Sequence, residues 1–152
     1  MAEFYVSLSV EEMASQIASL LNKHNKLYKK HKESTIIGNA ETNYFVEVVH
    51  NTVIGCVGSV RKSERVTELK HVCVDPAYRR RGIASKLSNL AIANCSTEFV
   101  SMSVREDNKA SLNMAKSMGF IQLKKHWSVD HYVITLGRAK DHAKWQAQWG
   151  QN

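Results

Sequence analysis

A chain of 152 residues with 43% hydrophobic and 23% charged residues has the length and balance of one folded domain, which excludes a disordered or low-complexity protein. No apolar stretch approaches the ~20 residues that cross a bilayer as a helix, and the three scattered cysteines, Cys56, Cys73 and Cys95, offer neither a disulfide framework nor a Cys-x-x-Cys metal site. The formal charge of +7 favours an anionic ligand or partner: a phosphorylated cofactor, an acidic protein surface or nucleic acid.

In chain order, Met1-Ala2-Glu3-Phe4-Tyr5 carries an early acid and no basic segment before an apolar run. It does not read as a signal peptide, and reduced thiols in a cytoplasmic protein are the simplest setting. Residues 4–8 read as a short first strand. Ser9 and Glu12 have capping-box spacing, and Met13, Ile17, Leu20 and Leu21 follow at helical spacing, which predicts a helix over 10–22. The basic run 23–32 is a second helix or a loop, and its plainest role is a solvated face. Residues 44–50 and 53–60 are rich in β-branched and aromatic side chains and read as a hairpin turning at Asn51-Thr52.

A polar turn over 61–65 leads to a strand from Val66 to Val74, which Asp75-Pro76 ends because proline has no amide hydrogen for the ladder. Ile83, Leu87, Leu90 and Ala91 mark one face of the next helix. Residues 99–104 alternate as a strand. Asn108 then caps a helix carrying Leu112, Ala115 and Met118, and Gly119 ends it in a left-handed conformation. Strands over 120–123 and 127–136 finish the sheet, and Trp145 and Trp149 fall in a C-terminal helix, as packing residues or a dimer contact. This order predicts an α+β, or mixed α/β, single domain over 1–152. One central, mostly antiparallel sheet is flanked by helices, with about 137–152 as a helical extension.

The most informative stretch is Val72-Cys73-Val74-Asp75-Pro76-Ala77-Tyr78-Arg79-Arg80-Arg81-Gly82-Ile83-Ala84. A strand runs into a turn, and a helix starts at the glycine. The first amides of a helix lack intrahelical partners and point outward, ready for an anion, and the helix dipole favours negative charge there. Gly82 and Ala84 keep the backbone open to phosphate oxygens, and the arginines add charge. The plain alternative is a solvated basic turn. No Gly-Lys-Ser/Thr follows, and there is no Gly-x-Gly-x-x-Gly, so nucleotide hydrolysis and hydride transfer lose support.

This stretch resembles the signature of the GNAT superfamily of acetyl-CoA-dependent N-acyltransferases. Asn108-Lys109-Ala110-Ser111-Leu112 followed by Gly119-Phe120 is similar to a second block of that family, and the resemblance spans roughly residues 53–136. It implies a GNAT-like fold in which the strands ending near Val74 and Val104 splay apart to admit the thioester. It implies that Val72 and Val74 pair with the amide-bearing arm of CoA beside Cys73. It also implies that the amides of Arg79, Arg80, Arg81, Gly82, Ile83 and Ala84 cradle the pyrophosphate, with Asn108 near the cofactor. No metal is called for.

The resemblance further implies direct attack of an amine on the thioester, assisted by a base. Glu68, six residues before Val74, lies where some relatives that modify lysines carry a catalytic glutamate. It shares strand parity with Val72 and Val74 and so should face the same side; the plain reading is a surface carboxylate paired with Lys70 or Arg65. The later strand has Ser103 where other relatives place a glutamate. The family's tyrosine acid would fall at Ala115, which cannot donate a proton, leaving water, Tyr132 or His126 as substitutes. Cys73 as an acylated nucleophile is disfavoured.

The acceptor is an amine on a protein or a small molecule, and an acidic protein would suit the basic run. A non-catalytic acyl-CoA-binding or protein-interaction module of the same fold is the main alternative, motivated by Ala115 and Ser103. Nucleic-acid binding ranks last, and the chain is expected to be a monomer or homodimer away from membranes.

Overall fold

The computed structural model describes residues 8–24, 36 and 41–141. Residues 4–7 of the expected first strand, most of the basic run 23–32 and the helix of Trp145 and Trp149 lie outside the described residues. Helix α1 spans Val10–His24. Its start is the reciprocal capping box expected from sequence: the Glu12 amide donates to Ser9 Oγ at 3.0 Å, and the Ser9 amide to Glu12 Oε1 at 3.2 Å. Strands β1 (Thr42–Val49), β2 (Thr52–Arg61) and β3 (Val66–Val74) follow. After a short 3-10 turn at Pro76–Tyr78 come helix α2 (Ile83–Asn94), β4 (Phe99–Arg105), α3 (Lys109–Ser117), β5 (Ile121–Ser128) and β6 (His131–Ala139).

The architecture is α+β, with one six-stranded sheet of order β1-β2-β3-β4-β6-β5. Strand β3 pairs with β4 in parallel from Val66↔Phe99 to Leu69↔Met102, and β6 pairs antiparallel with both β4 and β5. The β3–β4 ladder ends at Leu69↔Met102 although β3 continues to Val74 and β4 to Arg105. Among the described residues no helix is long and apolar enough to cross a membrane.

The contacts group into two compact units, and β2 and β3 each pass from one to the other. The first comprises Met1–Gly58 and His71–Ser88. Its core is the apolar face of α1 (Ala14, Ile17, Ala18, Leu20, Leu21) with Ile36, Val53, Cys56 and Cys73, flanked by Tyr44, Val46 and Val48. Gln16 fastens α1 to the β1–β2 hairpin, accepting from the Val53 amide at 2.6 Å and donating to the Asn51 carbonyl at 3.0 Å. The second unit comprises Ser59–Lys70 and Asn89–Asn152. Its β4–β6 region buries Val100, Met102, Val104, Ile134 and Leu136, and α3 adds Leu112 and Ala115. Strand β5 is the sheet edge and exposed along nearly its whole length, where Lys124 and Lys125 discourage edge-to-edge pairing.

Three expected boundaries move. The hairpin turns at His50-Asn51, both at positive φ (50° and 58°), one residue earlier than Asn51-Thr52, as a two-residue turn matched to strand twist requires. The strand expected over 127–136 is two strands: Trp127 and Ser128 close β5, and the chain reverses at Val129-Asp130 with Val129 at φ 56°. A β-branched residue in the left-handed region is rare, so nothing in the sequence announces this turn. Strand β6 also runs to Ala139, into the region assigned to a helical extension.

Candidate cofactor and catalytic sites

In the first unit the end of β3 is converted into a helix start by a chain of local bonds. The Asp75 amide donates to the Ile54 carbonyl at 2.7 Å, holding β3 against β2 until its last residue. The Asp75 carboxylate then accepts from the Ala77 amide at 2.9 Å, and Pro76 needs no acceptor, so the 3-10 turn is capped at once. The Tyr78 amide returns to the Asp75 carbonyl at 2.8 Å, and the Arg79 amide reaches the Pro76 carbonyl at 3.4 Å. The Arg79 amide is therefore already engaged, unlike the amides that follow it among the described residues.

Those amides are oriented by two left-handed residues, Arg80 at φ 66° and Gly82 at φ 72°. Positive φ at alternate positions turns successive N–H groups toward a common concavity, the nest geometry that binds anions. Among the described residues nothing accepts a hydrogen bond from the amides of Arg80, Arg81, Gly82, Ile83 or Ala84. The Gly82 carbonyl accepts from the Lys86 amide at 2.9 Å, so α2 takes over there and aims its dipole into the same space. Arg79, Arg80 and Arg81 are exposed, and Arg81 stacks its guanidinium over the Tyr78 ring at 5.1 Å. Lys86 is committed to Glu47, at 2.8 and 3.0 Å.

Gly55 on β2 sets how closely α2 approaches the sheet. A Cβ there would lie 2.9 Å from Ile83 Cγ2, with Leu87 and Val74 side-chain carbons next. Gly55→Ala is expected to push Ile83 outward and destabilise the fold by about 1–3 kcal/mol through overpacking. A lower urea midpoint with an unchanged slope would show it, and CoA affinity should fall with it, since Ile83 opens the helix.

Strand β3 is not a regular strand. His71 sits at φ 55°, which for a residue with a side chain costs about 1–2 kcal/mol. The ring stacks on Tyr44 (centroids 5.9 Å apart, planes 14°), and Tyr44 Oη lies 2.8 Å from His71 Nδ1. The Cys56 thiol donates to the His71 carbonyl at 3.3 Å, and the Cys73 thiol to the Leu20 carbonyl on α1 at 3.7 Å. Val74 instead turns toward Gly55, Ile83 and Leu87. Burial still alternates along β3, with Thr67, Leu69 and Cys73 buried and Glu68, Lys70, Val72 and Val74 partly exposed. Burial pushes the Cys73 thiol up to about 11, with Arg79 pulling it down and Asp75 pushing it up. Burial likewise raises Cys56, the neighbouring Cys73 adding to it. Neither is a thiolate nucleophile near neutral pH.

The second unit holds the other candidates. Glu68 lies on β3 with Lys62 Nζ 3.8 Å from Oε1, and it retains 22% side-chain exposure. Arg65, one of its expected partners, pairs with Glu98 at 3.2 Å instead. Asn108 is the N-cap of α3: its side-chain oxygen accepts from the Ser111 amide at 3.2 Å, which is a structural role. Helix α3 ends in a Schellman motif, Gly119 at φ 89° donating to Lys116 and Phe120 donating to Ala115, both at 3.0 Å. Ala115 is completely buried, and Ser103 is exposed on β4. Tyr132 packs edge-on to Trp127 at 4.9 Å and beneath Lys125 Nζ at 4.4 Å, while His126 is exposed on β5. Cofactor candidates Val72, Cys73, Val74, Arg79, Arg80, Arg81, Gly82, Ile83 and Ala84 thus fall together in the first unit, and Glu68 and Asn108 fall in the second.

Residues 9–120 match the Acetyltransferase (GNAT) family. The chain is 32% identical over 96 residues to N-alpha-acetyltransferase 30 of Saccharomyces cerevisiae, covering 59% of this chain and 53% of that protein, so it spans about half the length of that curated relative. Ard1 from Thermoplasma volcanium matches with a TM-score of 0.72 at 21% identity, over 83% of this chain and 92% of that one. A chain of the NatC complex bound to Gag peptide and CoA matches with a TM-score of 0.71 at 22% identity, over 87% and 94%. At such identities the structural likeness speaks for the fold. The family match, however, runs from the cap of α1 through the nest and α2 to the end of α3, and on it this chain belongs to the GNAT acetyltransferase family.

Proposed function

We propose that the chain transfers an acetyl group from acetyl-CoA to a primary amine by direct attack, and that the amine is the N-terminus of a protein. The observation that carries the cofactor half is the row of amides from Arg80 to Ala84 at the start of α2, with Gly82 at φ 72°. They would hold the pyrophosphate, while the arm leading to the thioester runs beside Val72, Cys73 and Val74. Bound acetyl-CoA supplies the activated acyl group. The acceptor half draws on the relatives, one an N-alpha-acetyltransferase and one a complex bound to a peptide.

The chemistry favours this acceptor. An α-amino group, of pKa ~7.7–8.0, costs only about 1 kcal/mol to deprotonate at pH 7, whereas a lysine at ~10.4 costs about 4.6. A modest base suffices, and Glu68, partly exposed and loosely paired with Lys62, would serve through water. The three cysteines are free and buried, which fits a reducing, cytoplasmic setting. The fully buried Ala115 favours a second reading, a module that binds acyl-CoA without turnover.

The test is thiol release from acetyl-CoA with a pool of unblocked peptides, against the same peptides N-acetylated. Release that needs the free α-amine supports the enzyme, whereas CoA binding without release supports the module. Glu68→Gln is expected to lower kcat/KM about 10²-fold. An unchanged rate and pH profile would remove Glu68 as the base.

A further inference from the structure

Helix α2 carries one ion pair that no role described so far uses. Lys86 Nζ lies 2.8 and 3.0 Å from the two carboxylate oxygens of Glu47 on β1, and both residues belong to the first unit, as the nest does. The Lys86 amide donates to the Gly82 carbonyl at 2.9 Å, so this lysine stands one helical turn after the glycine of the nest. A helical side chain leans toward the N-terminus of its helix and covers the turn before its own Cα. For Lys86 that turn is Gly82 and Ile83, about 5.4 Å along the axis and within the sweep of a flexible four-carbon stem. The Glu47 carboxylate draws the ammonium to β1 instead. Lys86 keeps 58% side-chain exposure and Glu47 26%, so the lysine is the more mobile partner. A pair this open to water adds little stability, which leaves its place beside the nest to be explained.

We propose that Glu47 sets the affinity for the cofactor: by holding Lys86 it keeps a cation, additional to Arg79, Arg80 and Arg81, off the pyrophosphate. This rests on the reading of the Arg80 to Ala84 amides as the pyrophosphate cradle. Two anions compete for one ammonium, the carboxylate fixed on β1 and the phosphate that arrives with the ligand. Because the carboxylate is always present, the phosphate gains less from Lys86 than an unpaired lysine would give it.

The reaction gives this competition a consequence. Acetyl-CoA and CoA carry the same phosphates, and these do not change between the ground state and the transition state. A firm contact from Lys86 would tighten substrate and product alike, lowering KM without raising kcat. It would also slow the departure of CoA. Glu47 acts on the ligand through Lys86, so it is a positioning residue for that ammonium.

The experiment is calorimetric titration of the full chain with CoA and with dephospho-CoA, which lacks the ribose phosphate and retains the pyrophosphate. At ~20 mM salt Glu47→Gln should bind CoA about threefold to tenfold more tightly, the scale of one unit charge near an exposed phosphate. The gain should shrink as salt rises to ~0.5 M, and dephospho-CoA should show the same gain. Glu47→Gln/Lys86→Gln should return to within about twofold of wild type, because the two substitutions are coupled. Glu11→Gln makes the same charge change at an exposed position on α1 and should shift affinity by less than about twofold. With acetyl-CoA and the pooled unblocked peptides, Glu47→Gln should lower KM while kcat stays level or falls. A Glu47→Gln protein with unchanged or weaker CoA affinity overturns the proposal and leaves the cradle in place. So does a double variant as tight as Glu47→Gln, which takes Lys86 out of the effect, or an equal gain in Glu11→Gln, which reduces it to net charge. A gain that vanishes with dephospho-CoA moves the contact to the ribose phosphate and likewise overturns it. A wild-type protein that binds no CoA overturns the cradle reading as well.

Discussion

Gly82→Val is expected to weaken CoA binding by about 10²–10³-fold, measured by calorimetry, with a stability loss near the backbone strain alone. Gly82 sits at φ 72°, where a β-branched residue is strained by about 1–2 kcal/mol. A Cβ there meets nothing within 4 Å, so the protein itself has room for a side chain. The space over Gly82 is open, and under the proposed reading a phosphate would fill it. Strain that relaxes the turn toward negative φ rotates the Arg81 and Gly82 amides out of the nest. Losing one or two charge-assisted bonds at roughly 1.5–3 kcal/mol each gives the stated range. Gly82→Ala should fall between the variant and wild type. An affinity for CoA unchanged in Gly82→Val would place the pyrophosphate elsewhere.

What could be read from the sequence here is what is decided locally. The Ser9–Glu12 box, the Asn108 cap and the Gly119 stop are each fixed by bonds within a few residues, and each stands where its residue type indicates. Strand β3 keeps its expected ends because Pro76 terminates it chemically. The nest was legible as a glycine between strand and helix, although the engaged amide of Arg79 was not. Failures concentrate where tertiary contacts choose φ. Val129 and His71 take left-handed conformations that their side chains disfavour, and no local pattern predicts them. Gly55 looks like an ordinary strand glycine until Ile83 and Leu87 are seen against it.

Restoring the family's tyrosine by Ala115→Tyr is expected to destabilise the protein rather than accelerate it. Ala115 is completely buried on α3, and its carbonyl accepts both the Met118 and Phe120 amides of the helix stop, at 3.1 and 3.0 Å. A phenol there must displace the packing around Leu112 and Phe120, themselves only 4% and 2% exposed. Overpacking of this kind costs about 1–3 kcal/mol or more, and a buried hydroxyl without a partner adds about 1–3. Against a typical total stability of about 5–15 kcal/mol, a loss of that size should lower the melting temperature by roughly 10 °C. Ala115→Ser, which adds one atom, should stay close to wild type and serves as the control. A variant that keeps the wild-type melting temperature and releases thiol faster would show that the helix can open and that the acid is merely missing. If instead the fold weakens and turnover does not rise, the packing of α3 excludes a proton donor at this position. The leaving thiolate, only about 2 kcal/mol uphill of its thiol at pH 7, must then take its proton from another group or from water.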